Sequence, residues 1–431
     1  MTKLDLITLE DGVTRANTRT LYYAAFATIG LVTGMAILTP YLLAETLGLG
    51  ETRHGRALGQ LTIVNEITLI LAYGPLGALS DRNGQRAIYA GGFFAMATTY
   101  LLFPMATSLT GFSAIRVIYA LGIGAATGMY GTLLADYAVE ADRGKLAAIG
   151  GILNGLGVVL SALALGALPA RFVATGMEGP AAARLTTAIA AVARLITACV
   201  LFAGLKRGAP PASLRLPMAA MLGRGVKAAR GNRGLAIACA AAFVARGVLA
   251  IVGIFTVAWG KQAALAAGMS PSAAIQAGSV PFIFAQSAAL LWLLAMIVFI
   301  DRLPRLRMLG VAMALGAVGY FAMGFVTDPL GKAAIPLFAL SGIDQISAVL
   351  GAQTLISKAA PEAERGAVIG PFNFSCAVGI LIIGAVDGWA FDRFGPVTPF
   401  LIVGVLNAIV AVAALTARPQ KRPHAFLSRM P

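Results

Sequence analysis

Apolar residues run along this chain in long blocks, without the short alternations that mark half-buried strands or the one-sided stripes of surface helices. Twelve blocks stand out, at about 21–43, 57–79, 87–106, 112–136, 146–168, 183–205, 235–259, 278–300, 308–326, 334–357, 368–388 and 397–417. Each is long enough to cross the hydrocarbon core of a bilayer as an α-helix, which satisfies its backbone polar groups internally. Glycine and proline inside the blocks are compatible with this, because small residues let membrane helices approach and neighbouring helices re-satisfy freed carbonyls. The pattern predicts an all-α membrane protein with twelve transmembrane helices.

Composition agrees. Of 431 residues, 58% are hydrophobic and only 12% charged, and the mean hydropathy is +0.83. That is too little charge to cover a soluble surface of this size, so lipid must solvate much of it. The formal charge of +15 would suit a nucleic-acid partner if a soluble basic domain existed, but none is visible. The charge follows topology instead. With the N-terminus inside, 23 Lys and Arg fall on one side and seven on the other, and Arg116, Arg194 and Arg246 lie within spans. Positive residues stay cytoplasmic, which predicts a multi-pass inner-membrane protein with both termini cytoplasmic. The first twenty residues lack the apolar core of a secretory signal. Cys199, Cys239 and Cys376 all fall in spans, and neither His54 nor His424 has a metal partner nearby, so no disulfide framework, metal or cofactor is expected.

The chain repeats itself. Residues 140–144 read Glu-Ala-Asp-Arg-Gly and residues 362–366 read Glu-Ala-Glu-Arg-Gly, 222 positions apart and each just before a span. Asp81-Arg82 recurs as Asp301-Arg302 at an offset of 220. Two matches at nearly one spacing predict pseudo-symmetric six-helix bundles, residues 1–206 and 235–431, joined by a basic cytoplasmic linker over 207–234. The positive tract 206–234 is either a solvated linker or a contact for anionic headgroups. Repeated halves are frequent in secondary transporters, with the solute site between them near the membrane midplane.

The stretch Gly77-Ala-Leu-Ser-Asp81-Arg82-Asn-Gly84-Gln-Arg86 resembles the signature between the second and third spans of the major facilitator superfamily. That resemblance implies two bundles rocking around a central cavity. It also implies gating roles for Gly77, Asp81, Arg82, Gly84 and Arg86, which latch one conformation without touching solute. The competing reading is a topology-fixing basic loop. The second copy, Asp301-Arg302-Leu-Pro-Arg305, lacks both glycines and so departs from the signature.

Ionisable groups within spans are costly, about 2.5–3.5 kcal/mol each on insertion scales, and are candidate functional residues. Glu66, Arg246, Asp344 and Arg194 all fall near midplane, roughly 14–20 Å from a span end at 1.5 Å per residue. The resemblance places spans 7 and 10 on the cavity, so Arg246 and Asp344 are expected to face it and to be able to pair. Glu66 and Asp344 are candidate proton carriers, since a carboxyl in apolar surroundings suits reversible protonation; a buried structural ion pair is the alternative. Arg246 is a candidate clamp for an anionic group, or else neutralises Asp344. Arg194 is expected to pair within its bundle or snorkel. Arg116, opening Arg-Val-Ile-Tyr-Ala-Leu-Gly122-Ile-Gly124, partly resembles the span 4 pattern of the superfamily, which links that arginine to proton handling. Asn65, Tyr119 and Tyr130 offer polar groups to a solute, or else pack.

The predicted function is a secondary active transporter of a small organic solute, an anion among the candidates, coupled to protons and acting as a monomer. A multidrug or metabolite proton antiporter is the alternative within that class. The span 5 pattern of drug antiporters is incomplete here, because Gly151-x-x-x-Gly155 lacks the following proline. A transporter-fold assembly factor or sensor without transport is the alternative outside it. No nucleotide-binding loop, nucleophile elbow or metal cluster points to an enzyme.

Overall fold

The computed structural model describes residues 3–4, 7–50, 53–139, 142–207, 233–299, 304–359 and 365–417. The repeats at Asp301-Arg302 and Glu362–Glu364, and most of the linker, lie outside these. Among the described residues run twelve long helices: α1 (Arg15–Glu45), α2 (His54–Asn83), α3 (Gln85–Leu102), α4 (Leu109–Asp136), α5 (Arg143–Ala174), α6 (Gly179–Gly204), α7 (Arg233–Ala266), α8 (Pro271–Phe299), α9 (Arg305–Met323), α10 (Ile335–Ala359), α11 (Arg365–Phe394) and α12 (Thr398–Thr416). All twelve contain segments long and apolar enough to cross a membrane.

Local chemistry sets several ends. Thr14 caps α1, its hydroxyl accepting from the Asn17 amide while its own amide donates to the Asn17 side chain. Ser108 caps α4 by accepting from Gly111. Inside the spans, threonine hydroxyls such as Thr28 and Thr39 donate to the carbonyl one turn back, which satisfies them within their own helix. Large side chains such as Leu71, Phe94, Leu101, Leu291, Val318 and Ile409 stand exposed on the outer surface, as a bilayer solvent requires.

The packing has pseudo-two-fold symmetry. In the first six helices α1 packs on α5, α3 on α6 and α4, and α2 on α4; in the second six α7 packs on α11, α9 on α12 and α10, and α8 on α10. Two tight glycine crossings repeat 222 residues apart. A methyl group on Gly157 would collide with the Phe26 carbonyl, and one on Gly379 with the Phe243 carbonyl. Between the bundles, α2 lies on α11, α5 on α8, and α1 against α7 and α8.

One face carries the N-terminal segment and the turns α2–α3 and α4–α5; the other is termed the distal face. At the first, residues 7–13 fold against the body rather than trailing as a polar tail. Ile7, Leu9 and Val13 are buried. The Thr8 amide donates to Asp142 at 2.8 Å, and the Glu10 amide to the Tyr137 carbonyl at 3.1 Å. Lys145 donates to the other Asp142 oxygen at 2.6 Å. That bond, with the Thr8 contacts, holds the Asp142 carboxyl down at about 2.

Helix α7 is longer than the apolar block 235–259. It passes through a π-turn at Ile251–Phe255 and continues to Ala266. Lys261, expected in a loop, is therefore fully buried, and its ammonium donates to the Pro40 carbonyl of α1 at 2.9 Å. Pro40 lies within α1. A helix carbonyl has a second lone pair beyond the one its amide ladder uses, so it can accept from such a cation as well.

Candidate functional site between the bundles

Of the four midplane charges, Glu66 and Arg246 converge, together with Arg116, while Asp344 and Arg194 do not. Asn65 and Glu66 sit on α2, both buried, with Asn65 Nδ2 donating to Glu66 Oε1 at 3.0 Å. Glu66 lies within electrostatic reach of Arg116 on α4 and of Arg246 on α7, in the other bundle. Arg116 is buried, with its guanidinium 5.1 Å from the centre of the Tyr119 ring. Two of its donors, Nε and one terminal nitrogen, have no hydrogen-bond partner. Arg246 is half-buried and within hydrogen-bonding reach of Cys376 on α11. The junction of α2, α4, α7 and α11 thus gathers one carboxylate, two guanidiniums, an amide and a thiol.

That set can hold an anion or exchange a proton. Two cations face one acid, so a second negative group would complete the charge balance. Donors left unpaired in a buried site favour an incoming acceptor, since an unmade hydrogen bond there is costly.

Asp344 lies elsewhere. Its carboxyl is buried in the second bundle among Tyr320 of α9 and Asn407 of α12, over Gly316, where a methyl group would collide with it. The expected pairing with Arg246 is not made. The reason is helix rotation: α10 touches α7, α8 and α9 together, and position 344 points to the α9 side. Arg194 does pair within its bundle. It is fully buried, stacks 3.4 Å from the centre of the Tyr100 ring, and donates to the carbonyls of Ala190 and Leu31.

The tyrosines are engaged. Tyr119 is fully buried and its hydroxyl donates to the Val32 carbonyl at 2.9 Å, fastening α4 to α1. Tyr130 lies over Gly150 of α5, accepting from Asn154 at 3.3 Å. Of the signature residues, Gly77 and Asp81 fall in the last turns of α2, and Gly84 ends the helix with φ +85°. Arg82 is exposed, and Arg86 stacks 4.4 Å from the Phe202 ring centre. The Asp81 side chain lies outside the described set.

Sequence reasoning overlooked two buried groups. Asp387 on α11 is fully buried with both oxygens unpartnered; it fell at the edge of the block 368–388, where an acid reads as a loop residue. Lys261 was missed because a single lysine past an apolar block looks like its end.

Comparison with known proteins agrees with this architecture. Residues 263–429 match the family model described as Major Facilitator Superfamily. The nucleoside transporter NupG superposes on 93% of this chain and 98% of its own with a TM-score of 0.71 at 16% identity. This is a major facilitator fold. A D-xylose-proton symporter shares the same fold, with a TM-score of 0.66 and 18% identity over 94% of this chain and 98% of its own. Among sequence relatives, the magnetosome protein MamH of Paramagnetospirillum magneticum (strain ATCC 700264 / AMB-1) is 25% identical over 92% of this chain and 91% of its length. Twelve helices long and apolar enough to cross a bilayer make this chain a multi-pass membrane protein, and its charged junction lies where the two bundles of the fold meet.

Proposed function

We propose that this protein is a secondary active transporter that moves a small organic solute by alternating access and draws on a proton gradient. The observation that carries the reading is the Glu66–Arg116–Arg246 junction, which spans both bundles, with Glu66 and Arg116 buried and Arg246 half-buried. A rocking motion of the bundles changes the distance from Glu66 to Arg246, and so ties its protonation to the conformation. Arg246 then serves as the solute clamp, with an anionic group as the best fit to its fork. Arg116 and Asn65 tune Glu66, while Tyr119 and Tyr130 hold the first bundle together. The carrier sits in the inner membrane as a monomer, with the termini and the basic face toward the cytoplasm. In that orientation Gly77, Asp81, Arg82, Gly84 and Arg86 act as gating residues, and the two bundles are the units on either side of the 207–234 linker.

A thermal-shift screen of the purified protein against metabolites and drugs at two pH values tests this. Stabilisation by an anionic metabolite that depends on pH supports the reading. A hit list of neutral, pH-insensitive compounds contradicts it. The names of the relatives favour a second reading, in which the chain serves at a magnetosome as an assembly factor or sensor; it predicts intact assembly in the Arg246→Ala variant, whereas a carrier loses function.

A further inference from the structure

We infer that Asp392, at the end of α11, is the latch that holds the distal face closed. Its two carboxylate oxygens accept from the first amides of α2 across the bundle boundary, Gly55 to Oδ1 and Arg56 to Oδ2, both at 2.7 Å. These are amides that no turn of α2 can satisfy, at the positive end of the helix dipole, so an ionised acceptor is favoured there.

The sequence around it supports the assignment. Gly388-Trp-Ala-Phe-Asp392-Arg393-Phe-Gly395 repeats the spacing of Gly77-Ala-Leu-Ser-Asp81-Arg82-Asn-Gly84, with glycine, acid, arginine and glycine in register. Both closing glycines have positive φ, +85° at Gly84 and +102° at Gly395, so each acid ends its helix against the same left-handed turn. The two copies lie at opposite ends of one antiparallel helix pair. Asp392 ends α11 beside the start of α2, and Asp81 ends α2 on the face where α11 starts. The copy in α11 is closer to the signature than the Asp301-Arg302 copy, which lacks both glycines.

Packing makes the contact possible. Gly388 lies against the Gly55 carbonyl and the Gly59 backbone, and a methyl group on Gly55 would collide with both Asp392 and Gly388. The crossing is narrow enough for a short aspartate to reach the helix end. Lys261 on the Pro40 carbonyl is a second cross-bundle contact toward the same face. The latch is independent of which ion drives transport, so its failure would leave the coupling reading standing.

The test is a spin-label distance measurement across the distal face, with Met105→Cys and Phe325→Cys in the full-length chain after Cys199, Cys239 and Cys376 are replaced by alanine. Both labelled positions are exposed. The parent is expected to give a dominant short distance. Asp392→Ala should raise the ratio of long to short distances by roughly 5- to 30-fold, the change that one or two kcal/mol produces. Asp392→Asn, which keeps the shape and one acceptor oxygen, should give a smaller rise in the same direction, and Asp328→Ala on the same face none. Gly55→Ala should open the face as Asp392→Ala does. An unchanged distribution in Asp392→Asn and Asp392→Ala, or in the asparagine variant alone where the alanine variant does not fold, overturns the latch. So does opening by Gly55→Ala alone, which would make close packing the whole cause.

Discussion

Each bundle sets a buried charge against a repeated tyrosine, and the two charges are held in opposite ways. Tyr100 and Tyr320 are 220 residues apart, on α3 and α9, and each faces a buried ionisable side chain. In the first bundle that group is Arg194, seated on the tyrosine ring with the Ala190 and Leu31 carbonyls as acceptors. In the second it is Asp344, beside the Tyr320 hydroxyl and the Asn407 amide, with no hydrogen bond of ordinary geometry to either oxygen. A helix bundle has carbonyls to spare wherever helices bend or end, so it can clamp a cation from its own backbone. It has few spare amides, so a buried acid must rely on side chains, a proton or a solute. The difference teaches that burial alone does not mark function in a membrane protein; what matters is whether the backbone can satisfy the charge.

The comparison breaks most visibly at Arg194. Replacing it with alanine removes stacking and two charge-assisted hydrogen bonds, and should cost about 3–4 kcal/mol of stability, read as a lower unfolding temperature in detergent. A loss no larger than that of an exposed arginine such as Arg82 would end the clamp account. At the centre, Arg246→Lys keeps the charge but loses the fork. It should weaken an anionic solute about tenfold, roughly the worth of one charge-assisted hydrogen bond, and a neutral solute hardly at all. Equal losses in a binding titration would assign Arg246 to structure. Asp344→Asn sharpens the contrast from the other side. Because its neighbours are neutral, a neutral isostere should change stability by less than about 1 kcal/mol in the same thermal assay. The smallest effect is expected at Asp142. Its carboxyl is held below its ordinary 3.8, at about 2, so its contribution to docking residues 7–13 is present above the ordinary value and lost only as pH falls through the lower one. Amide exchange of residues 7–13 should therefore be slow at neutral pH and at pH 4, rise toward pH 2, and be fast at neutral pH in Asp142→Ala.

Much of the architecture was legible because the bilayer imposes one rule. A spanning segment must be long, apolar and helical, so twelve blocks became twelve helices, and the 222-residue repeat of Gly157 and Gly379 follows the loop repeat read from the sequence. Block ends were less legible. Apolarity stops before a helix does when the last turns are buried in protein, which is why α7 runs past 259 and carries Lys261 inward. The site was legible by depth and not by direction. Depth follows from counting residues, and it put Glu66 and Arg246 near one level; Arg116, read at the start of its span, was pointed to by the span 4 resemblance and not by depth. Direction depends on helix rotation, which small-residue packing sets, and so Asp344 faces Tyr320 instead of Arg246. The Asp392 contact was hidden for a related reason: its signature lies in sequence at 388–395, but only the fold brings it to the start of α2.

The central claim is that Glu66 couples a proton to the movement of the bundles. The most direct measurement compares wild-type protein with Glu66→Gln in proteoliposomes, using the solute identified by thermal shift and an imposed pH gradient. Gradient-driven accumulation should vanish in the variant while solute exchange at equal pH persists. Accumulation at the wild-type level in Glu66→Gln would contradict the account.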